Sequence, residues 1–304
     1  MSASTGARAA GFLSRAVRGN AGDRTGAGWF VKGALLLVSA LWLLPTVGLL
    51  VSSFRSQAVV SRSGWWTAFL DPAQFTVQNY GEVLQRSVGG TTLAEAFVNS
   101  LVVAVPATVI PITAAAFAAY AFAWMEFKGR ETLFVVFVAL LVVPLQVAFI
   151  PIVRLYANLG IQGSFLGLWL AHAGFGMPLA VYLLRNYIGS LPREIIESAR
   201  VDGATHFTTF VRLIIPLSVP ALAAFAIFQF LWTWNDYLVA LILLDTARLG
   251  QVSTTYLAGL LGTFGQRAHL LSAGAFITMI VPLTVFFSLQ RFFVRGLTAG
   301  SVKG

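Results

Sequence analysis

The sequence predicts an all-α fold, a polytopic integral membrane bundle with about six transmembrane helices. Hydrophobic residues fill 58% of the 304 positions and charged residues only 10%, whereas about 25% of a typical soluble domain is charged. A chain this apolar lacks the polar side chains needed to cover a water-facing surface. The charged residues also lie between long apolar runs, a pattern typical of spans separated by loops.

Six runs with few or no charges are long enough to cross a hydrocarbon core of about 30 Å. They lie at residues 33–53, 97–123, 132–153, 165–184, 213–234 and 270–290. Several of these runs contain proline, so we expect kinked helices whose freed carbonyls are satisfied by neighbouring spans. Residues 54–95 are only moderately apolar and predict an extended non-cytoplasmic loop with surface helices.

The chain divides into a tail and a membrane domain. Residues 1–28 are rich in Ala, Gly, Ser and Arg and predict a disordered cytoplasmic tail, although an Arg-rich start also resembles an organellar transit peptide. Residues 29–304 form the predicted membrane domain. With the amino terminus inside, 14 of the 20 Lys and Arg residues lie on the cytoplasmic side and 6 outside. This is the bias that the positive-inside rule expects.

Residue types exclude several classes of site. The net charge is +9, but the basic residues do not cluster on one segment, which favours anionic lipid headgroups over nucleic acid as the acidic partner. The absence of cysteine removes disulfides and thiolate metal sites. The three histidines are far apart and no lysine lies in a G-x-x-x-x-G-K-[ST] context. We therefore predict no metal site, no nucleotide site and no cofactor bound by this chain.

The loop between the fourth and fifth runs predicts a short helix over residues 190–204. Ser190 is a candidate cap, Pro192 fits the first turn, and Arg193 stands four residues before Glu197. One face of this helix carries progressively smaller side chains, so another protein could approach its carboxyl-terminal end closely; the face consists of Ile195, Ala199 and Gly203. The alternative is an amphipathic surface helix that lies against the membrane.

The same loop resembles a known signature. Residues 197–199 (Glu-Ser-Ala) are followed after three residues by Gly203 and after nine more by residues 213–216 (Leu-Ile-Ile-Pro). This resembles the E-A-A-x3-G-x9-I-x-L-P loop of bacterial ABC importer permeases. Ser198 replaces the first alanine and two exchanges near the end are conservative, while the glutamate, glycine, proline and spacing are kept.

The resemblance extends over residues 30–304. Residues 75–80, 232–237 and 290–300 are similar to the maltose-permease-like branch of carbohydrate-uptake permeases. The resemblance implies an ABC importer permease fold in the bacterial cytoplasmic (inner) membrane, with a cytoplasmic amino terminus. It also implies four kinds of partner: the lipid membrane, a second homologous permease, two ATP-binding-cassette ATPase subunits that use ATP and Mg, and an extracytoplasmic sugar-binding protein.

Two groups of candidate site residues follow. The resemblance assigns residues 185–216 as the ATPase-coupling loop, with its contacts at Glu194, Glu197, Ser198, Ala199, Asp202, Gly203, Ala204 and Pro216. The second group combines a carboxylate with aromatic side chains, which suits a polyhydroxylated ring; it consists of Trp232, Trp234, Asn235, Asp236 and Tyr237. The alternative for this second group is an aromatic belt at the membrane interface.

The sequence thus predicts a non-enzymatic permease subunit that imports a sugar or oligosaccharide and is energised by separate ATPase subunits. An ABC permease for another solute, such as a peptide or polyamine, is one alternative. An ion-coupled secondary transporter is another, but few carboxylates lie in the predicted spans, and ion coupling usually needs one near the midplane. A membrane-embedded enzyme would need a catalytic constellation, which the sequence does not offer.

Overall fold

The computed structural model of this protein describes residues 24–262 and 265–299. Residues 1–23, most of the predicted tail, lie outside the described residues. The helices are α1 (Arg24–Ser53), α2 (Gln57–Val60), α3 (Gln78–Gln85), α4 (Leu93–Trp124), α5 (Arg130–Leu140), α6 (Leu145–Leu159), α7 (Phe165–Gly189), α8 (Arg193–Val201), α9 (His206–Thr209), α10 (Ile215–Leu217), α11 (Val219–Trp234), α12 (Leu238–Leu243), α13 (Thr246–Leu249), α14 (Ser253–Leu260) and α15 (Ala268–Ala299).

Five helical segments of the described chain are long and apolar enough to cross a membrane: Gly28–Ser53, Leu93–Trp124, Phe165–Gly189, His206–Trp234 and Ala268–Gln290. A sixth span results if α5 and α6 are counted together. The predicted all-α membrane bundle of about six spans is therefore confirmed. The first helix begins at Arg24, inside the segment predicted as a tail.

The third predicted span is wrong as a single kinked helix. Residues 132–153 instead fall on α5 and α6, which meet at an angle of 104°. Pro144 stands immediately before α6 and has extended backbone angles. Proline lacks an N–H group and disfavours helical geometry in the residue before it, so α5, which ends at Leu140, does not continue into α6.

Residues 54–92, called here the Arg55 end, connect α1 to α4. They contain the predicted surface helices, namely α2, α3 and two 3₁₀ turns (Trp65–Phe69 and Pro72–Gln74). They also contain a small antiparallel hairpin of β1 (Ser87–Val88) and β2 (Thr91–Thr92), which the sequence did not predict. Thr92 and Glu95 then form a capping box that starts α4.

A fully buried arginine organises the Arg55 end. The Arg55 guanidinium makes five hydrogen bonds to four neutral acceptors: Gln74 Oε1, Gly64 O, Ser63 Oγ and Thr67 Oγ1. Its own carbonyl accepts from Asn79 Nδ2 at 2.9 Å. These bonds link the two 3₁₀ turns to the end of α1, so this loop has a polar core of its own.

The core of the bundle is formed by α4, α7 and α11. The long helices α4 and α7 pack along one another, and α11 packs against both. The largest cluster of buried side chains joins the ends of these helices that lie far from Arg55; it includes Tyr120, Leu184, Ile188, Ile214 and Phe225. This cluster is where the predicted coupling helix attaches.

Candidate coupling segment and solute pathway

The predicted coupling helix is α8, and its start differs from the sequence prediction. Pro192 occupies the N-cap position of α8. Ser190 instead ends α7, where its Oγ donates to the Tyr187 carbonyl at 2.7 Å. Ser190 was therefore the wrong cap, because a serine can cap a helix only when it directly precedes the first helical turn.

One side chain of α8 inserts into the bundle. Ile196 is 1% exposed and lies in the cluster formed by α4, α7 and the start of the fifth span. Ala199 is also buried, whereas Ile195 remains 37% exposed. The predicted small-residue docking face of Ile195, Ala199 and Gly203 is therefore not a single exposed stripe, because the alanine is buried.

Hydrogen bonds also join α8 to the end of α4, and the end of α4 to the end of α7. Arg200 Nη2 donates to the Trp124 carbonyl at 3.2 Å, and Trp124 Nε1 donates to the Ile188 carbonyl at 3.1 Å. Just after α8, the His206 Nδ1 atom lies 2.9 Å from the Tyr120 hydroxyl. Residues 190–209, called here the α8 end, are thus hydrogen-bonded to α4 and covalently continuous with α7 and with the fifth span.

The outer surface of α8 is acidic and exposed. Glu194, Glu197, Ser198 and Asp202 are all exposed, and Val201 is 87% exposed. Among the described residues, no ion pair involves any of these three carboxylates. In particular, the predicted pair between Arg193 and Glu197 does not form. A groove of about 770 Å³ lies alongside, lined by residues that include Arg130, Arg193, Glu197 and Arg200.

Gly203 ends α8 in a Schellman motif. The Ala204 amide donates to the Ala199 carbonyl at 2.9 Å, and the Gly203 amide donates to the Arg200 carbonyl at 3.0 Å. This motif places its C′ residue in the left-handed region, and φ of Gly203 is +77°. An added Cβ would meet nothing within 4 Å, so within this chain the backbone angle, rather than lack of space, requires glycine.

A widened turn connects the α8 end to the fifth span. Residues Phe210–Ile214 form a π-helical turn, and the exposed Pro216 follows in α10. Ser218 then interrupts the helix as a fully buried turn residue. Irregular helical turns of this kind occur frequently at functional sites.

The predicted solute-pathway residues do not converge on one surface. Trp234 is 4% exposed and packs between Phe97 and Phe230, so in this conformation it offers no open platform. Asn235 Nδ2 donates to the Leu231 carbonyl at 2.7 Å within its own helix. Tyr237 is 43% exposed on the other side of the turn.

Asp236 and Trp232 do meet, through His172 of α7. The His172 Nε2 atom lies 3.9 Å from Asp236 Oδ2, and the Trp232 ring packs edge-on against the imidazole with 6.0 Å between centroids. Asp236 Oδ2 also accepts from the Ala240 amide at 3.1 Å. Burial raises the pKa of the Asp236 carboxyl, and this amide hydrogen bond opposes the shift. The hydrogen bond from the Ala240 amide to the Asp236 carboxylate stabilises the turn between α11 and α12.

Comparisons with known proteins identify the family. Residues 96–299 match the family described as "Binding-protein-dependent transport system inner membrane component". This chain is a member of that family. The predicted resemblance to ABC importer permeases is thereby confirmed, and the chain is a transport component.

Relatives cover nearly the whole permease. It is 58% identical to the osmoprotective compounds uptake permease protein GgtD of Synechocystis sp., across 89% of this chain and 90% of that protein. It is 43% identical to the alpha-glucoside transport system permease protein AglG of Rhizobium meliloti, across 91% of this chain and 97% of that protein. A bacterial alginate ABC transporter, solved in complex with a periplasmic protein bound to an alginate pentasaccharide, shares the fold. The TM-score is 0.65 at 16% sequence identity, and the match covers 90% of this chain and 96% of the chain in that structure.

The sequence did not predict the roles of two polar side chains inside the permease. Gln229 of α11 is fully buried, and Trp169 of α7 donates from its indole to the Val102 carbonyl at 2.8 Å. The available signal was the pair of prolines in α4, because each must leave one carbonyl without its helical donor. Which side chain supplies the replacement donor depends on helix packing and could not be predicted.

Proposed function

We propose that this permease is the membrane subunit of an ATP-binding-cassette importer that carries a sugar or oligosaccharide and is driven by separate ATPase subunits. The observation that carries the proposal is the two-sided character of α8. Its buried Ile196 fixes the helix to three spans, while its acidic side remains exposed. A helix attached in this way can transmit the motion of a bound protein to the spans as a rigid body.

The proposed solute is a polyhydroxylated glycoside. Alpha-glucosides and arabinooligosaccharides appear in the names of relatives 43% and 32% identical to this chain. The second candidate is an osmoprotective compound, which is favoured by the 58% identity to a permease named for such compounds. Asp236, Trp232 and Tyr237 remain the proposed solute contacts, reached when the spans rearrange toward an open state.

The proposed assembly contains four further polypeptides. A second permease completes the pathway, two ATPase subunits bind the α8 ends and use ATP with Mg, and an extracytoplasmic binding protein delivers the solute. The proposed contacts with the ATPase are the exposed residues of the coupling loop at Glu194, Glu197, Ser198, Asp202 and Gly203. We further propose that the amino terminus is cytoplasmic, which places the α8 end inside and the Arg55 end outside.

Reconstitution of the purified complex into vesicles tests the function. Uptake of labelled maltose, an arabinooligosaccharide, glycine betaine and putrescine is compared with and without internal ATP, and with an ionophore present. We expect ATP-dependent glycoside uptake that the ionophore does not reduce. Uptake of glycine betaine alone would favour the osmoprotectant, and putrescine uptake alone would favour a polyamine permease. Ion-driven uptake without ATP would contradict the importer proposal.

Single cysteines test the orientation, since the chain contains no other cysteine. Ser61 and Ser198 are both exposed and lie at the Arg55 end and the α8 end, respectively. In intact cells, an impermeant thiol reagent should label Ser61→Cys and leave Ser198→Cys unmodified. Labelling of both variants after permeabilisation is the control, and the reverse pattern in intact cells would place the amino terminus outside.

A further inference from the structure

Two prolines interrupt the hydrogen bonding of α4. Pro106 and Pro111 have no N–H, so the carbonyls four residues earlier, those of Val102 and Ala107, lose their helical donors. Both carbonyls lie inside a membrane span, where water cannot replace the missing donor and an unsatisfied group is costly. Each must therefore be satisfied by a neighbouring helix.

The structure satisfies these carbonyls from two different helices. Trp169 Nε1 of α7 donates to the Val102 carbonyl at 2.8 Å. Gln229 Nε2 of α11 donates to the Ala107 carbonyl at 3.1 Å. The two sites are chemically equivalent, but the first ties α4 to α7 and the second ties α4 to α11.

Gln229 makes a second contact that Trp169 lacks. Its Nε2 also donates to the His172 carbonyl of α7 at 3.2 Å, so one side-chain amide joins three spans. Gly176 of α7 leaves room for it, because a Cβ at that position would lie 2.3 Å from Gln229 Oε1. The glutamine is 0% exposed, so no solvent molecule replaces either bond when it breaks.

The position of Gln229 along the chain connects it to the α8 end. The fifth span begins at His206, directly after α8, and runs to Trp234. Gln229 lies in the last third of that span, beyond the apolar cluster that joins its first part to α4 and α7, so it adds a polar contact to the same two helices farther from α8. Trp169 lies near the start of α7, the end away from α8, and its indole ties α7 to α4 alone.

From this geometry we infer that Gln229 is a positioning residue for transport, which ties the span following α8 to α4 and α7 so that the three helices move together. The inference rests on the proposed function and extends it. Packed interiors switch between discrete arrangements rather than deforming continuously. The Gln229 amide adds two directional hydrogen bonds to the apolar packing, so a displacement that separates α11 from α4 and α7 must break both of them.

Restoring the helical donor separates this role from simple carbonyl satisfaction. Gln229→Leu removes both donated bonds and leaves the Ala107 carbonyl unsatisfied. Adding Pro111→Ala returns an N–H to position 111, which can satisfy that carbonyl within α4, but it does not rebuild the tie to α11. The matched pair is Trp169→Phe with and without Pro106→Ala, and the two proline variants alone are the references.

The measurements are thermal stability in detergent and ATP-dependent uptake in vesicles. We expect both single variants, Gln229→Leu and Trp169→Phe, to lose stability, and both double variants to regain it. Uptake by Trp169→Phe/Pro106→Ala should recover to the level of the Pro106→Ala variant. Uptake by Gln229→Leu/Pro111→Ala should stay about tenfold or more below its reference, within the roughly 5- to 150-fold range typical of coupling between sites, while ATP hydrolysis continues.

Recovery of uptake by Gln229→Leu/Pro111→Ala would overturn the inference, because the glutamine would then act only as a donor to a freed carbonyl. Equal loss of uptake in both double variants would also overturn it, since Gln229 would have no role beyond that of Trp169. Failure of the proposed function itself looks different, because the unaltered permease would then show no ATP-dependent uptake.

Discussion

The two ends of the bundle satisfy their polar groups in opposite ways. At the Arg55 end, a fully buried guanidinium uses its donors on neutral acceptors of the same loop. At the α8 end, the buried contact is the apolar side chain of Ile196, and the carboxylates are left on the surface. The buried guanidinium of the first end is paired within its own loop, whereas the three carboxylates of the second form no ion pair among the described residues.

We expect this difference to separate substitutions that affect stability from those that affect assembly. A buried polar network fixes one conformation, because breaking any part of it leaves unsatisfied groups. The α8 helix is held by the buried Ile196 and Ala199 and by the Arg200 hydrogen bond, and its carboxylates remain exposed. Substitutions should therefore damage the fold most at the Arg55 end, and damage assembly most at the outer surface of α8.

Arg55→Ala should have the largest effect on stability. Removing the guanidinium takes away five hydrogen bonds and leaves Gln74 Oε1 and Thr67 Oγ1 without a donor, and we expect a loss of about 3–5 kcal/mol in the free energy of unfolding. Unfolding by SDS titration in mixed micelles measures it. The exposed Arg62 supplies the control, since Arg62→Ala should change stability by less than about 0.5 kcal/mol. Similar values for the two arginines would refute the polar core.

Ile196→Ala should have the second largest effect. The side chain is 1% exposed in a cluster shared by three spans, so its truncation should cost about 2–3 kcal/mol through lost contacts and a cavity. The neighbouring Ile195, 37% exposed, is the matched control, because Ile195→Ala should cost under about 1 kcal/mol. The same SDS titration applies, and an equal loss for both isoleucines would mean that α8 is not fixed by one side chain.

Gly203→Ala, at the end of α8, should have a smaller effect on stability than Ile196→Ala. An alanine in the left-handed region costs about 1–2 kcal/mol, and the open surroundings add no clash. We expect a stability loss of about 1 kcal/mol and weaker co-purification of the ATPase, because the Schellman motif orients the exposed surface. Gly129→Ala is the control, since Gly129 also has positive φ and open surroundings but lies outside the α8 end. ATPase binding reduced equally by both variants would point to a nonspecific cause.

Glu197→Ala should have the smallest effect on the fold. The exposed side chain makes no ion pair with Arg193, so we expect a change of only a few tenths of a kcal/mol. Loss of a desolvated partner in the ATPase would instead cost about 2–5 kcal/mol of binding. Co-purification of the ATPase and coupled uptake distinguish the two. Full retention of both by Glu197→Ala would remove this glutamate from the docking surface.

Much of this permease could be predicted because the governing signals are local. Apolar runs of bilayer length located the spans, and the glutamate, glycine and proline of residues 197–216 carried the resemblance to the family that the chain belongs to. Both depend on the identity of residues close together in the chain, which any conformation preserves. Even the need for outside donors was contained in the sequence, since a proline frees a carbonyl wherever its helix packs.

Only the tertiary structure decided how these pieces face one another. The third predicted span is two helices that meet at 104°. Ala199 is buried, and Trp234 packs against Phe97 and Phe230. Gln229 is the donor to the Ala107 carbonyl. Each outcome depends on the rotation of one helix relative to another. That rotation is set by the packing of side chains distant in sequence, so composition and spacing along a single helix do not determine it.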